Sequence, residues 1–185
     1  MAAPALHPRK LSAVGTTIRM RTMKKFGLAA FLAFLAMVGP AVAQQRAEWV
    51  SFKSGMLGPR LVSAGTMPDG LPVYVCIAPY GGGVHPGLTG VWTDRCIIGY
   101  GGREFPAMYF KVLMGRARWQ AAGSGGLPPN PITGGQEADG RPLYVCRARH
   151  EGALLAGKYR PGFRGCNIGD GGREIAVAPF DILTH

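Results

Sequence analysis

The chain has 185 residues, 47% of them hydrophobic and 17% charged, with 21 basic against ten acidic side chains and a formal net charge of +11. Six of the basic residues precede Gln44 whereas all ten acids follow it, so the stretch 44–185 carries only +5. That modest excess argues against a dedicated nucleic-acid binder, and nucleic acid is not an expected partner.

Residues 1–43 read as a cleaved secretory signal peptide. Lys24 and Lys25 precede an apolar run over residues 26–38, and Ala41-Val42-Ala43 supplies the small-residue cleavage pattern before Gln44. The run is shorter than the roughly 18 residues a membrane-spanning helix needs. The remainder is therefore expected to be exported, to the periplasm or the extracellular space.

Residues 44–185 amount to a single domain, long enough to bury about two thirds of the surface its unfolded chain exposes. Within it the chain repeats itself: residues 49–113 and 119–183 align without a gap at an offset of 70, with 24 of 65 pairs identical. The join falls near residues 114–118. Trp49 and Trp119 open the repeats, and both tryptophans are expected in the core. Asp69-Gly70 and Asp139-Gly140 follow, dipeptides suited to the positive φ of a hairpin turn. Behind them Val73, Val75 and Ile77 alternate with Tyr74 and Cys76, as Leu143, Val145 and Arg147 alternate with Tyr144 and Cys146, which predicts half-buried strands. Gly101-Gly102-Arg103-Glu104 and Gly171-Gly172-Arg173-Glu174 are the tightest identities. They read as structural, with a positive-φ turn and with Arg and Glu tying strands or halves together, the alternative being a ligand-facing carboxylate. Apolar runs at residues 108–113 and 176–183 close the repeats, Pro179 pushing the second towards an edge or bulge. No stretch of helical periodicity occurs. The prediction is an all-β fold, a compact antiparallel β domain in which the repeats form halves of one pseudo-twofold sandwich or barrel.

The four cysteines, Cys76, Cys96, Cys146 and Cys166, all follow the leader, and an even count in an exported chain argues for disulfides. Pairing Cys76 with Cys96 and Cys146 with Cys166 respects the repeat; the crossed pairing of Cys76 with Cys166 and Cys96 with Cys146 is equally symmetric if the halves exchange strands. Zinc competes poorly, since no Cys-x-x-Cys and no paired His at ligand spacing occur. No metal and no cofactor is expected.

The order of these motifs, with Asp139-Gly140-Arg141-Pro142-Leu143-Tyr144-Val145-Cys146, Gly157-Lys158, Gly171-Gly172, Glu174 and Phe180-Asp181-Ile182-Leu183, resembles the DM9 repeat. The resemblance covers residues 48–184. It implies two interlocked β-rich repeats and, as in characterised members, a lectin activity towards mannose-type sugars. It also implies where the sugar sits, on an acid two positions before the Asp-Gly and on the lysine of the Gly-Lys step. In repeat two these are Glu137, which replaces the usual Asp, with Asp139 and Lys158. Repeat one offers only Asp69, because Met67 and Leu88 stand where the acid and the lysine belong.

Carboxylates that accept from vicinal hydroxyls beside a lysine that donates would suit a hexose, with Tyr159 or Trp92 against its apolar face. The plain alternatives are a turn role for Asp139 and solvated charges for Glu137 and Lys158. A shallow site binds weakly, so several sites on an oligomer, a homodimer in the simplest case, would be needed. Repeat two is the more basic unit through Arg147, Arg149, Lys158, Arg160 and Arg164, which suggests an anionic polysaccharide or lipid as a further partner, the plain alternative being a solvated face. Catalysis is not expected: His85 and His150 fall in loop-like stretches and do not repeat, and neither Gly-x-Ser-x-Gly nor His-Glu-x-x-His occurs. The competing class is a protein-interaction or envelope-structural domain that keeps the fold without a sugar site.

Overall fold

The computed structural model describes residues 46–123 and 126–185. The predicted leader, residues 1–43, lies outside them. Repeat one supplies β1 (Glu48–Ser51), β2 (Ser63–Thr66), β3 (Pro72–Tyr80), β4 (Gly83–Gly90), β5 (Thr93–Tyr100), β6 (Arg103–Ala107) and β7 (Lys111–Met114). Repeat two supplies β8 (Arg118–Ala121), β9 (Thr133–Gln136), β10 (Pro142–His150), β11 (Ala153–Tyr159), β12 (Cys166–Asp170), β13 (Arg173–Val177) and β14 (Phe180–Thr184). No helix occurs among the described residues.

The strand order is β1-β7-β3-β4-β5-β6-β13-β12-β11-β10-β14-β8, so the second repeat reads the first backwards and β6 meets β13 at the centre. Strand β9 pairs with β10 and also bridges to β4 through Gln136 and Val84, which curls the sheet back into an antiparallel barrel. The two-residue turns at Gly101-Gly102 and Gly171-Gly172 hold φ near +57°, +83°, +58° and +80°, a conformation that glycine adopts without a Cβ penalty.

Interlocking of the halves is reciprocal. Trp49 Nε1 donates to Thr133 O at 3.3 Å and Trp119 Nε1 to Ser63 O at 2.9 Å, so each repeat's opening tryptophan reaches into the other repeat. The two glutamates cross in the same way. Gly102 N donates to Glu174 Oε2 at 2.9 Å and Gly172 N to Glu104 Oε2 at 3.2 Å. Both tryptophans are half-buried against the main core rather than enclosed by it, because the indole N–H must reach a backbone carbonyl near the surface.

Strand β3 departs from the predicted half-buried pattern. Val73 and Val75 face the main core while Tyr74, Cys76 and Ala78 pack into a second cluster with Leu61, Ile98, Phe110 and Val112, so its centre is dry on both faces. The closing apolar runs are also interrupted. Met108 and Tyr109 are exposed, β7 starting only at Lys111, and Pro179 lies between β13 and β14 rather than within a strand. The disulfides join Cys76 to Cys96 and Cys146 to Cys166, the within-repeat pairing. They are compatible with an exported protein.

Candidate functional site

Lys158 sits on β11 opposite Val145 of β10 and Asn167 of β12. It is not a solvated charge, being only 2% exposed. Its ammonium lies 3.3 Å from Glu174 Oε1 and 3.5 Å from His85 Nδ1, and 5.1 Å above the Tyr100 ring. Glu174 follows the Gly171-Gly172 turn, while His85 and Tyr100 come from repeat one. The lysine of one repeat is thus enclosed by side chains of both. His85 Nε2 donates to Tyr80 O at 3.1 Å, which places the ring proton on Nε2 and leaves Nδ1 as an acceptor for Lys158. An ammonium has three N–H bonds. Glu174 and His85 take two and leave one for a ligand.

Glu137 faces His85 Nδ1 at 4.0 Å with one oxygen and Arg160 Nε at 3.8 Å with the other. Arg160 Nε is buried and has no hydrogen-bond partner among the described residues, an unmet donor beside the lysine. Asp139 plays two parts. Its Oδ1 accepts from the backbone N–H of Arg141 at 3.1 Å, the same turn that Asp69 makes with Leu71 at 3.1 Å, and its Oδ2 is paired with the Arg141 guanidinium at 2.6 Å. The turn role shared with Asp69 explains why both repeats keep this aspartate.

Charge and burial tune these groups. Burial, then the neighbouring Lys158 charge, holds the His85 imidazole below its ordinary value, so it is neutral at pH 7. Burial alone would raise Glu174, but the Gly102 amide, Lys158 and Asn167 outweigh it and leave the carboxyl below the usual range. The hydrogen bond from the Arg141 side chain holds Asp139 low as well.

Glu137, Asp139 and Lys158 therefore share one cleft of about 420 Å³, with Arg141, Arg160, Glu174, Asn167, Tyr100 and Phe163. Its lining carries three carboxylates and three cations. Asp69 does not join it. The two aromatics named from the sequence are also elsewhere: Tyr159 is buried against Phe180 with ring centroids 4.8 Å apart, and Trp92 packs over Gly90. Tyr100 and Phe163 take the cleft wall instead, the latter with the Arg160 guanidinium 4.3 Å above its ring. His85 and His150 lie in strands β4 and β10, not in loops. The basic residues of repeat two are largely paired: Arg147 binds Asp181 at 2.8 Å and Ala64 O at 3.0 Å and lies over Trp119, while Lys158 and Arg160 meet acids of the cleft. A larger hollow of about 910 Å³, lined by Arg46, Arg116, Arg118 and Trp119, contains none of the predicted site residues.

In repeat one the positions equivalent to Glu137, Arg141, Lys158 and Asn167 are Met67, Leu71, Leu88 and Ile97. One half of the domain has a polar cleft and the other an apolar counterpart.

Fold and site define a class, a two-repeat antiparallel β domain with a charge-balanced cleft built on one repeat and walled by the other. The chain belongs to the DM9 repeat family, whose model matches residues 34–107 and 68–177. The crystal structure of the nematode sperm cell motility protein MFP2B is similar, with a TM-score of 0.56 and 20% identity over 78% of this chain. That likeness is one of fold, and the chain spans about half (48%) of that structure's length. No curated protein matches the chain.

Proposed function

We propose that this DM9-family protein is an exported, non-catalytic lectin whose repeat-two cleft takes a neutral sugar of the mannose type. The observation that carries the reading is the composition of the cleft. Three carboxylates and three cations balance, the buried Arg160 Nε has no hydrogen-bond partner among the described residues, and one Lys158 N–H is left over after Glu174 and His85. A hydroxyl both donates and accepts, so a polyol can satisfy both signs at once, whereas a charged ligand meets as much repulsion as attraction. Tyr100 and Phe163 supply apolar surface for the face of a pyranose ring. Export agrees with the cleavage pattern before Gln44 and with the two disulfides, the compartment being periplasmic or extracellular.

A calorimetric titration of the oxidised protein with mannose and a panel of neutral and acidic sugars tests this. Heat should appear with a neutral hexose, fall at least about tenfold in affinity in Lys158→Met, and persist in Asp69→Asn, in line with the loss of one charge-assisted hydrogen bond of about 1.5–3 kcal/mol. Equal affinity in the Lys158→Met protein would remove the cleft from the account.

The second reading is a protein-interaction domain. It is favoured by the apolar counterpart face, where Leu71, Val91 and Trp92 are exposed at 37%, 57% and 38%. Silence towards every sugar, with a partner whose binding depends on Trp92, would favour it.

A further inference from the structure

The pseudo-twofold repeats the surroundings of the cleft in the other half of the domain, with a set of side chains that the sugar reading does not use. Around the cleft, Tyr80, Gly81 and Tyr100 meet. The two tyrosine rings lie 5.2 Å apart, and a Cβ on Gly81 would fall 2.8 Å from the Tyr100 hydroxyl, so the Cβ direction at position 81 points at residue 100. Repeat two puts His150 and Glu151 at the equivalents of the first two, and Asp170 at the equivalent of Tyr100. Two phenols and a glycine become an imidazole and two carboxylates. His150 Nε2 lies 3.7 Å from Asp170 Oδ2 and 3.8 Å from Glu151 Oε1, and the three donor atoms fall within 4.8 Å of one another.

We propose that His150, Glu151 and Asp170 form a site for a divalent transition ion of the zinc type, independent of the sugar cleft. One imidazole nitrogen and two carboxylate oxygens form a mixed donor set that such ions accept, and that magnesium or calcium, which prefer oxygen alone, does not favour. Two ligands about 2.1 Å from a common ion at the tetrahedral angle stand roughly 3.4 Å apart. The two His150 distances exceed that by a few tenths of an ångström, within the reach of Glu151, whose side chain is 80% exposed and free to turn. His150 and Asp170, at 23% and 35%, are anchored at the ends of β10 and β12 on either side of it. Glu151 holds φ at +46°, where repeat one has Gly81 at +54°. A side chain is kept where glycine would be less strained.

The test is a zinc titration of the tag-free, oxidised protein by calorimetry, with cobalt(II) absorption as a spectroscopic check, on four variants. His150→Gln and Asp170→Asn should each weaken zinc by about tenfold or more, the scale on which removing a group from a metal centre is felt. Glu151→Gly should weaken zinc yet raise the midpoint of metal-free thermal unfolding, since it removes a donor and relieves the positive φ. A structural role for Glu151 predicts loss in both. His185→Gln should change nothing. Absence of one-to-one binding, or binding that survives His150→Gln, or that is lost only in His185→Gln, would overturn the assignment.

Discussion

Replacing Glu174 by Gln should cost far more stability than its position on a tight turn suggests. The Glu174 and Lys158 side chains are 12% and 3% exposed and stand 3.3 Å apart. At an effective dielectric near 20 that separation gives a gross attraction of about 5 kcal/mol, much of it offset by the desolvation of both charges. Removing the carboxylate leaves the ammonium enclosed by a neutral His85 and the Tyr100 face, so Glu174→Gln should destabilise the fold by about 3–5 kcal/mol. Lys158→Met should cost less, about 1–2 kcal/mol, because Glu174 keeps the Gly102 amide at 2.9 Å and the Asn167 amide at 3.2 Å. The double variant should lie well below the sum, with a coupling of at least about 1.5 kcal/mol. Urea unfolding of the oxidised protein, followed by tryptophan fluorescence, measures all three. Additivity within about 0.5 kcal/mol would refute a coupled Lys158–Glu174 pair.

Acid should weaken the domain in two stages. A neutral His85, held below its ordinary 6.5, contributes stability above that pH which is lost as pH falls through its folded value, and Glu174, held low, repeats this below the usual carboxylate range. His85→Gln should flatten only the upper stage of a stability-versus-pH series; an unchanged upper stage would contradict the assignment. Each disulfide closes a sequence separation of 20 residues, so a Cys76→Ser, Cys96→Ser double variant should lose about 3 kcal/mol in urea unfolding. At Gly135 (φ +133°) a Cβ would run into the Val84 carbonyl, where β9 bridges to β4, so Gly135→Ala should destabilise by at least about 1 kcal/mol and a smaller loss would argue against that bridge.

What could be read from the sequence is what local chemistry repeats. The Asp-Gly and Gly-Gly turns, the alternation after them and the paired cysteines recur at one offset, and each states a backbone demand that a single residue type meets. Strand β4 was not legible, because Gly83-Val84-His85-Pro86-Gly87 reads as a loop. Its glycines answer tertiary demands: a Cβ on Gly87 would strike the Ile97 carbonyl of the neighbouring strand. The same masking hid His85, which meets Lys158 across 73 residues of sequence with no local signal. The recurrence of Glu174 in both repeats points to a structural role, which one oxygen fills by accepting from the Gly102 amide. Its second oxygen on Lys158 is a role that Glu104 cannot have opposite Leu88.

The proposed lectin binds a neutral sugar in its repeat-two cleft and not at the apolar repeat-one counterpart. Backbone amide chemical shifts during a mannose titration locate the ligand directly. Saturable shifts should be confined to the cleft, at Gly101, Asp139, Lys158 and Phe163, with the counterpart positions Gly171, Asp69, Leu88 and Thr93 unmoved. Equal shifts in both halves, or shifts centred on the arginine-lined hollow at Arg116 and Arg118, would contradict it.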